Sequence, residues 1–180
     1  MDRRDAPRLT KSPADASFPV PFPTPMTEPY WLDRARGYLD LAMYEEAWQE
    51  IDLLPPDKRD HPDAREFRII IRLDEGRTEE ALALCGILCS LHPENHAGFI
   101  QGAFCLHALG RTEDAIELLQ SGPETLRDEP VYFYNLACYE LALGKDQAAL
   151  TWLRLSIEMD RTFRDRALAD PDLAPIAEAI

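Results

Sequence analysis

Apolar residues recur along this chain at helical spacing, and the short polar interruptions between them recur too. Gly144-Lys145-Asp146-Gln147-Ala148-Ala149 is preceded, 34 residues earlier, by Gly110-Arg111-Thr112-Glu113-Asp114-Ala115. Another 34 residues before that stands Gly76-Arg77-Thr78-Glu79-Glu80-Ala81. Each copy is suited to end one helix and begin the next. Gly takes the left-handed conformation that closes a helix. Thr or Asp is then expected to cap the following helix through its side-chain oxygen, and in two copies acids follow on that helix's positive end. A fourth copy, near Ala47, fits the same register with Ala42 where the others have Gly.

Other positions keep the period. With units starting at Glu28, Pro62, His96 and Pro130, the eighth residues are Ala35, Ile69, Ala103 and Ala137. The twentieth is Ala each time (Ala47, Ala81, Ala115, Ala149), and the twenty-fourth is apolar (Ile51, Cys85, Leu119, Leu153). Small side chains at fixed places are what closely crossing helices need, with bulky ones where the crossing leaves space. A helix-turn-helix unit at constant spacing predicts a stacked array rather than a bundle.

This spacing and pattern resemble the tetratricopeptide repeat family, whose unit has 34 residues with an aromatic–small–aromatic first helix and an Ala-x3-Phe-type second helix. The fourth unit matches best, through Phe133, Leu136, Ala137, Gly144 and Ala149. The second departs in its first helix, with Arg65, Ile69 and Arg72, and the third breaks off at Gly122-Pro123. The resemblance implies an all-α, right-handed superhelical stack of about four units (28–61, 62–95, 96–129 and 130–160). A leader, 1–27, precedes them, and 161–180 is expected to form a C-terminal cap through Leu168, Leu173 and Ile176.

In the family the first helices line the concave side, with the second, fifth, ninth and twelfth residues of each unit pointing into the groove. The resemblance thus implies a groove of Leu32, Arg36 and Leu39, then Glu66, Ile70 and Leu73, then Ile100, Phe104 and His107, and finally Val131, Tyr134, Cys138 and Leu141. Its apolar character grows toward the last two units, where Ile100, Phe104 and Tyr134 are the expected anchors. A first helix apolar on both faces is either sandwiched or awaits a partner. The expected function is a non-catalytic protein-interaction module holding an apolar or Pro-containing segment of another protein. The alternative is a small chaperone, similar to the tetratricopeptide chaperones of type III secretion in size, acidity and layout. Lys and Asn at set groove places, which clamp a C-terminal carboxylate in one family subtype, are replaced by Leu32 and Arg36, and only Asn135 matches.

Composition narrows the choice. The 180-residue chain carries a net charge of −14, and residues 1–27 hold four basic and three acidic side chains, leaving −15 for 28–180. That sign disfavours nucleic acid and anionic membranes as partners. The charged, Pro-rich first residues are not expected to form a secretory leader, no apolar run reaches membrane-spanning length, and four Cys within predicted helices fit a cytoplasmic location. Pro at every second position of Phe18–Pro25 favours an extended path. That segment is either a surface spacer or a ligand-like strand, able to lie on its own groove or to mediate self-association.

Chemistry-bearing patterns are few. Cys85, Cys89, His92 and His96 have types that bind zinc, but Cys85 and Cys89 occupy core positions of the repeat, where free Cys serves as a small hydrophobe. Arg65, Arg68 and Arg72 form a stripe expected to pair with neighbouring acids rather than to receive a ligand. No Gly-rich phosphate loop, Gly-x-Ser-x-Gly elbow or His-Glu-x-x-His helix is present. A zinc-dependent enzyme is the third and least favoured reading; no catalytic residue, metal or cofactor is expected.

Overall fold

The computed structural model describes residues 30–179, so the Phe18–Pro25 segment and its two readings lie outside the described residues. Among the described residues the chain forms ten α-helices and no strand. After a 3-10 turn at Tyr30–Leu32 come α1 (Asp33–Asp40), α2 (Tyr44–Asp52) and the short α3 (Pro56–Arg59). Three longer pairs follow: α4 (Pro62–Asp74) with α5 (Thr78–Leu91), α6 (His96–Ala108) with α7 (Thr112–Gln120), and α8 (Pro130–Ala142) with α9 (Asp146–Met159). α10 (Thr162–Ala169) and a tail of 3-10 turns (Pro171–Ala179) complete the chain. Each helix packs on its pair-mate, and α4, α6 and α8 contact one another in succession, giving an all-helical superhelical stack.

The small-residue register explains how closely the helices meet. Ala47, Ala81, Ala115 and Ala149 are completely buried, as are Ile69, Ala103 and Ala137. Ile51, Cys85, Leu119 and Leu153 fill the space beside them, none more than 1% exposed. Position by position, the 34-residue pattern is a packing pattern.

The turns work as expected on one side and differently on the other. Gly76, Gly110 and Gly144 all have φ between 74° and 78°. This lets the next residue's N–H reach back to the helix just ended, as in Arg111 N to Leu106 O at 2.9 Å with Gly110 N to His107 O at 2.9 Å. That paired return is the Schellman closure. It places Arg77, Arg111 and Lys145 at the N-cap, where none makes a side-chain cap hydrogen bond. The expected caps Thr78, Thr112 and Asp146 therefore fall one residue late, inside the first helical turn. The closure consumes the cap position; only the first-turn acids remain to complement the dipole.

Ala42 closes the first pair in the same way, with φ of 55° and hydrogen bonds from Ala42 N to Leu39 O (2.8 Å) and Met43 N to Tyr38 O (2.9 Å). A Cβ in the left-handed region is unfavourable. Ala42→Gly is expected to stabilise the chain by about 0.5–1 kcal/mol, read as a higher urea midpoint at unchanged slope. A lower midpoint would show that the Cβ supplies more contact than it costs.

At the end of the third pair, Gly122-Pro123 leads into a single 3-10 turn, Glu124–Asp128. Its Leu126 is wholly buried against the core formed by Phe99, Leu119 and Tyr132. A Cβ on Gly122 would stand 2.6 Å from Leu126 Cδ2 and 3.2 Å from Phe99 Cγ. The glycine that breaks the family pattern is what lets this turn seat its leucine. The truncation of the repeat is filled.

In the cap, Leu173 and Ile176 are buried with Ala167 against Tyr134, Ala137, Ala149 and Leu153. Leu168, expected to join them, is 53% exposed; the neighbouring Ala167 faces inward instead, with Phe163 packed beside the cluster. Asp170 caps the start of the tail, its Oδ1 accepting from Asp172 N at 3.0 Å.

Candidate functional site

α6 and α8 are equivalent first helices one repeat apart, and a cavity of about 520 Å³ is lined by their last turns. Phe104, His107 and Ala108 come from α6, and Cys138, Leu141 and Ala142 from α8. These are the ninth, twelfth and thirteenth residues of the two units, so the walls are related by the repeat itself. Asp146 at the start of α9 and Asp172 and Pro175 of the tail complete the rim.

Only some of the expected groove residues reach the cavity, and Glu66 is buried. Phe104, His107, Cys138 and Leu141 are brought together around the cavity, all of them half-buried. Ile70, Leu73 and Ile100 are half-buried but pack against three separate core clusters. Val131, also half-buried, lies at the other end of α8. Leu32 and Leu39 are core residues of the first pair, and the half-buried Arg36 lies over the Phe67 ring at 5.1 Å.

Tyr134 is not an accessible anchor. Its side chain is 3% exposed and its hydroxyl donates to Asp170 Oδ2 at 2.5 Å. The Arg166 guanidinium lies 4.7 Å from its ring centroid, and Phe163 tilts against it at 5.4 Å. α10 and the tail have taken the surface that a ligand would need. Burial and the Asp170 hydrogen bond together push its hydroxyl well above the usual tyrosine range.

Three ionisable groups of the lining, His107, Asp172 and Cys138, are held toward their neutral forms. Burial lowers the His107 pKa, while the Asp172 carboxylate opposes this. Burial, then the nearby Asp170, raises Asp172, with His107 acting the other way. Cys138 is raised by burial and by both aspartates. His107 Nδ1 is 3.1 Å from Thr112 Oγ1, and its ring packs on Tyr139 with centroids 4.8 Å apart.

The other chemistry-bearing patterns resolve into structure. Cys85 hydrogen-bonds with the buried Cys105, which with burial raises its pKa far above the thiol range, and burial pushes Cys89 up to about 11. His96 faces Thr125 Oγ1 (2.9 Å) and Glu129 (3.4 Å). Among the described residues no cluster of three His, Cys, Asp or Glu is placed to hold a metal. Arg65 pairs with Asp60 (2.9 Å), Arg68 with Asp52 (2.7 Å) and Arg72 with Glu75 (2.6 Å). Arg68 and Arg72 also lie over Trp48, at 5.3 and 4.0 Å, a cation–π arrangement that ties two pairs of helices together.

Sequence reasoning missed five lining residues. Ala108 and Ala142 carry a usable signal, being equivalent small residues 34 apart. Asp146 reads from its surroundings only as a helix cap, and Asp172 and Pro175 reach the site through a fold-back that no local pattern announces.

The class follows from stacked pairs with Gly-closed turns and a wall of first helices: this is a tetratricopeptide repeat fold, and residues 72–137 match the tetratricopeptide repeat family model. TTC0263, a thermophilic tetratricopeptide repeat protein of Thermus thermophilus, is 19% identical with a TM-score of 0.63, over 76% of this chain and 77% of that one. SycD, a type III secretion translocator chaperone of Yersinia enterocolitica, is 21% identical with a TM-score of 0.58, over 67% and 91%. MamA of Desulfovibrio magneticus is 12% identical with a TM-score of 0.62, over 82% and 88%. At these identities the likeness is one of fold. No curated protein matches the chain. Among the described residues no helix is long and apolar enough to cross a membrane.

Proposed function

We propose that the chain is a non-catalytic interaction module, working in the cytoplasm, that holds an apolar or Pro-containing segment of another protein between α6 and α8. The observation that carries this reading is the cavity itself, whose apolar lining includes Phe104, Ala108, Cys138, Leu141 and Ala142. Concave, largely apolar sites with a few polar groups at the edge are the usual form of a binding site. The half-buried aromatic and aliphatic positions supply anchors, whereas Tyr134 contributes to the cap.

Phe104→Ala combined with Leu141→Ala is expected to weaken partner binding by about 1–3 kcal/mol, measured by calorimetry on a partner obtained by affinity capture. Tyr134→Ala is expected to lower the melting temperature instead. Full retention of affinity in the double variant would remove the groove from consideration. The chaperone alternative is distinguished by co-expression: a chaperone keeps an otherwise unstable client soluble, and an assembly scaffold does not.

A further inference from the structure

The rim of the cavity is negative from several independent sources. Asp146 and Asp172 come from different elements, α9 and the tail, and both line the opening. The basic side chains of Lys145 and Arg166 have partners of their own. Lys145 is held by Glu140 at 2.8 Å, and Arg166 lies over Tyr134 and Phe163. α6 ends at Ala108 and α8 at Ala142, and both residues line the cavity. The partially negative ends of these two helix dipoles therefore meet at the opening, where the positive start of α9 also lies and is complemented by Asp146. His107 is the one side chain of the lining that becomes cationic, and its burial opposes that charge. Residues 28–180 as a whole carry a net −15, a sign that draws cationic segments in and turns anionic ones away.

We propose that the cavity takes a basic-and-apolar segment, with an aliphatic or aromatic side chain on the apolar lining beside Leu141 and a Lys or Arg set against Asp146 and Asp172. The inference rests on the proposed function, since it assigns the chemistry of the same docking site. It commits to a protein segment because the lining is largely apolar and the site is shaped by two repeats. A small polyamine would satisfy the carboxylates and leave the apolar lining uncovered.

The test is selection of displayed random peptides on the full chain, followed by affinity measurement on purified variants. Selected peptides are expected to carry Lys or Arg next to a large apolar residue, and added salt should weaken them. The Asp146→Asn/Asp172→Asn double variant should bind them roughly 5- to 10-fold more weakly. A peptide with its basic residue replaced by Ala should not distinguish that variant from the native chain. Ala142→Trp, at an exposed position, fills the cavity and should abolish binding of both peptides, with the circular-dichroism melt as the folding control. Peptides blocked by Ala142→Trp that lack basic residues, or that bind the Asn variant equally well, would overturn the charge assignment and leave the docking site standing. Recovery of no peptide sensitive to Ala142→Trp would overturn both.

Discussion

Glu66→Gln is expected to stabilise the protein at pH 8 by about 2–3 kcal/mol and to leave it unchanged near pH 4.5. Glu66 sits on α4 facing α6, 5% exposed, and it accepts a long hydrogen bond from Gln101 Nε2 at 3.4 Å. Burial, then the neighbouring Asp63, raises its pKa from 4.5 to about 7. With the folded pKa above the unfolded one, the native state binds the proton more tightly. Its relative stability is thus fully present below about 4.5 and is lost as pH rises through about 7. Above that, the fold carries a buried carboxylate with a weak partner. The replacement amide removes this charge and also brings a donor within reach of Gln101 Oε1, which is buried without a partner. The difference between native and variant, measured by urea unfolding from pH 4.5 to 8, isolates Glu66 from His107 and the other titrating groups. A difference that does not vary with pH would show that Glu66 is ionised throughout.

Leu173→Ala is expected to cost about 2–4 kcal/mol, concentrated at one end of the molecule. Leu173 is completely buried in the cluster that covers the last helical pair. In a stack, each pair contacts mainly its neighbours, so loss of the cap should propagate only partway. Amide exchange should accelerate across α9, α10 and the tail, while α4 to α7 keep their protection. Leu168→Ala is the control: at 53% exposure it should change stability by less than about 0.5 kcal/mol. Equal effects of the two substitutions would mean the tail is not the cover. The cavity adds a second readout, because Asp172 and Pro175 belong to the same tail and a loosened cap opens one wall of the candidate site.

The repeat architecture was legible because its causes are local and recur. A left-handed Gly, a Schellman return and a small residue at the crossing act within one 34-residue unit, so four copies display the same solution four times. Even Ala42 was readable as an in-register member of the series with Ala in place of Gly. The caps of the second helices differ from expectation because two local rules compete for one position, and the helix closure wins. The second unit's arginines were readable as partners of neighbouring acids, but the seating of Arg68 and Arg72 on Trp48 needed the neighbouring pair.

The candidate site was half legible. Phe104, His107, Cys138 and Leu141 followed from the family's groove positions, and the structure places all four around one cavity. Tyr134 followed by the same logic, yet it lies under Asp170, Arg166 and Phe163, which reach it from beyond α9. Sequence alone thus determined the period, the turns and which residues face their own pair-mate, since each depends on contacts within one unit. Only the tertiary structure decided which apolar residues stay open and where negative charge gathers. Those outcomes depend on a tail folding back across the stack, and the spacing of residues does not encode whether distant segments will meet.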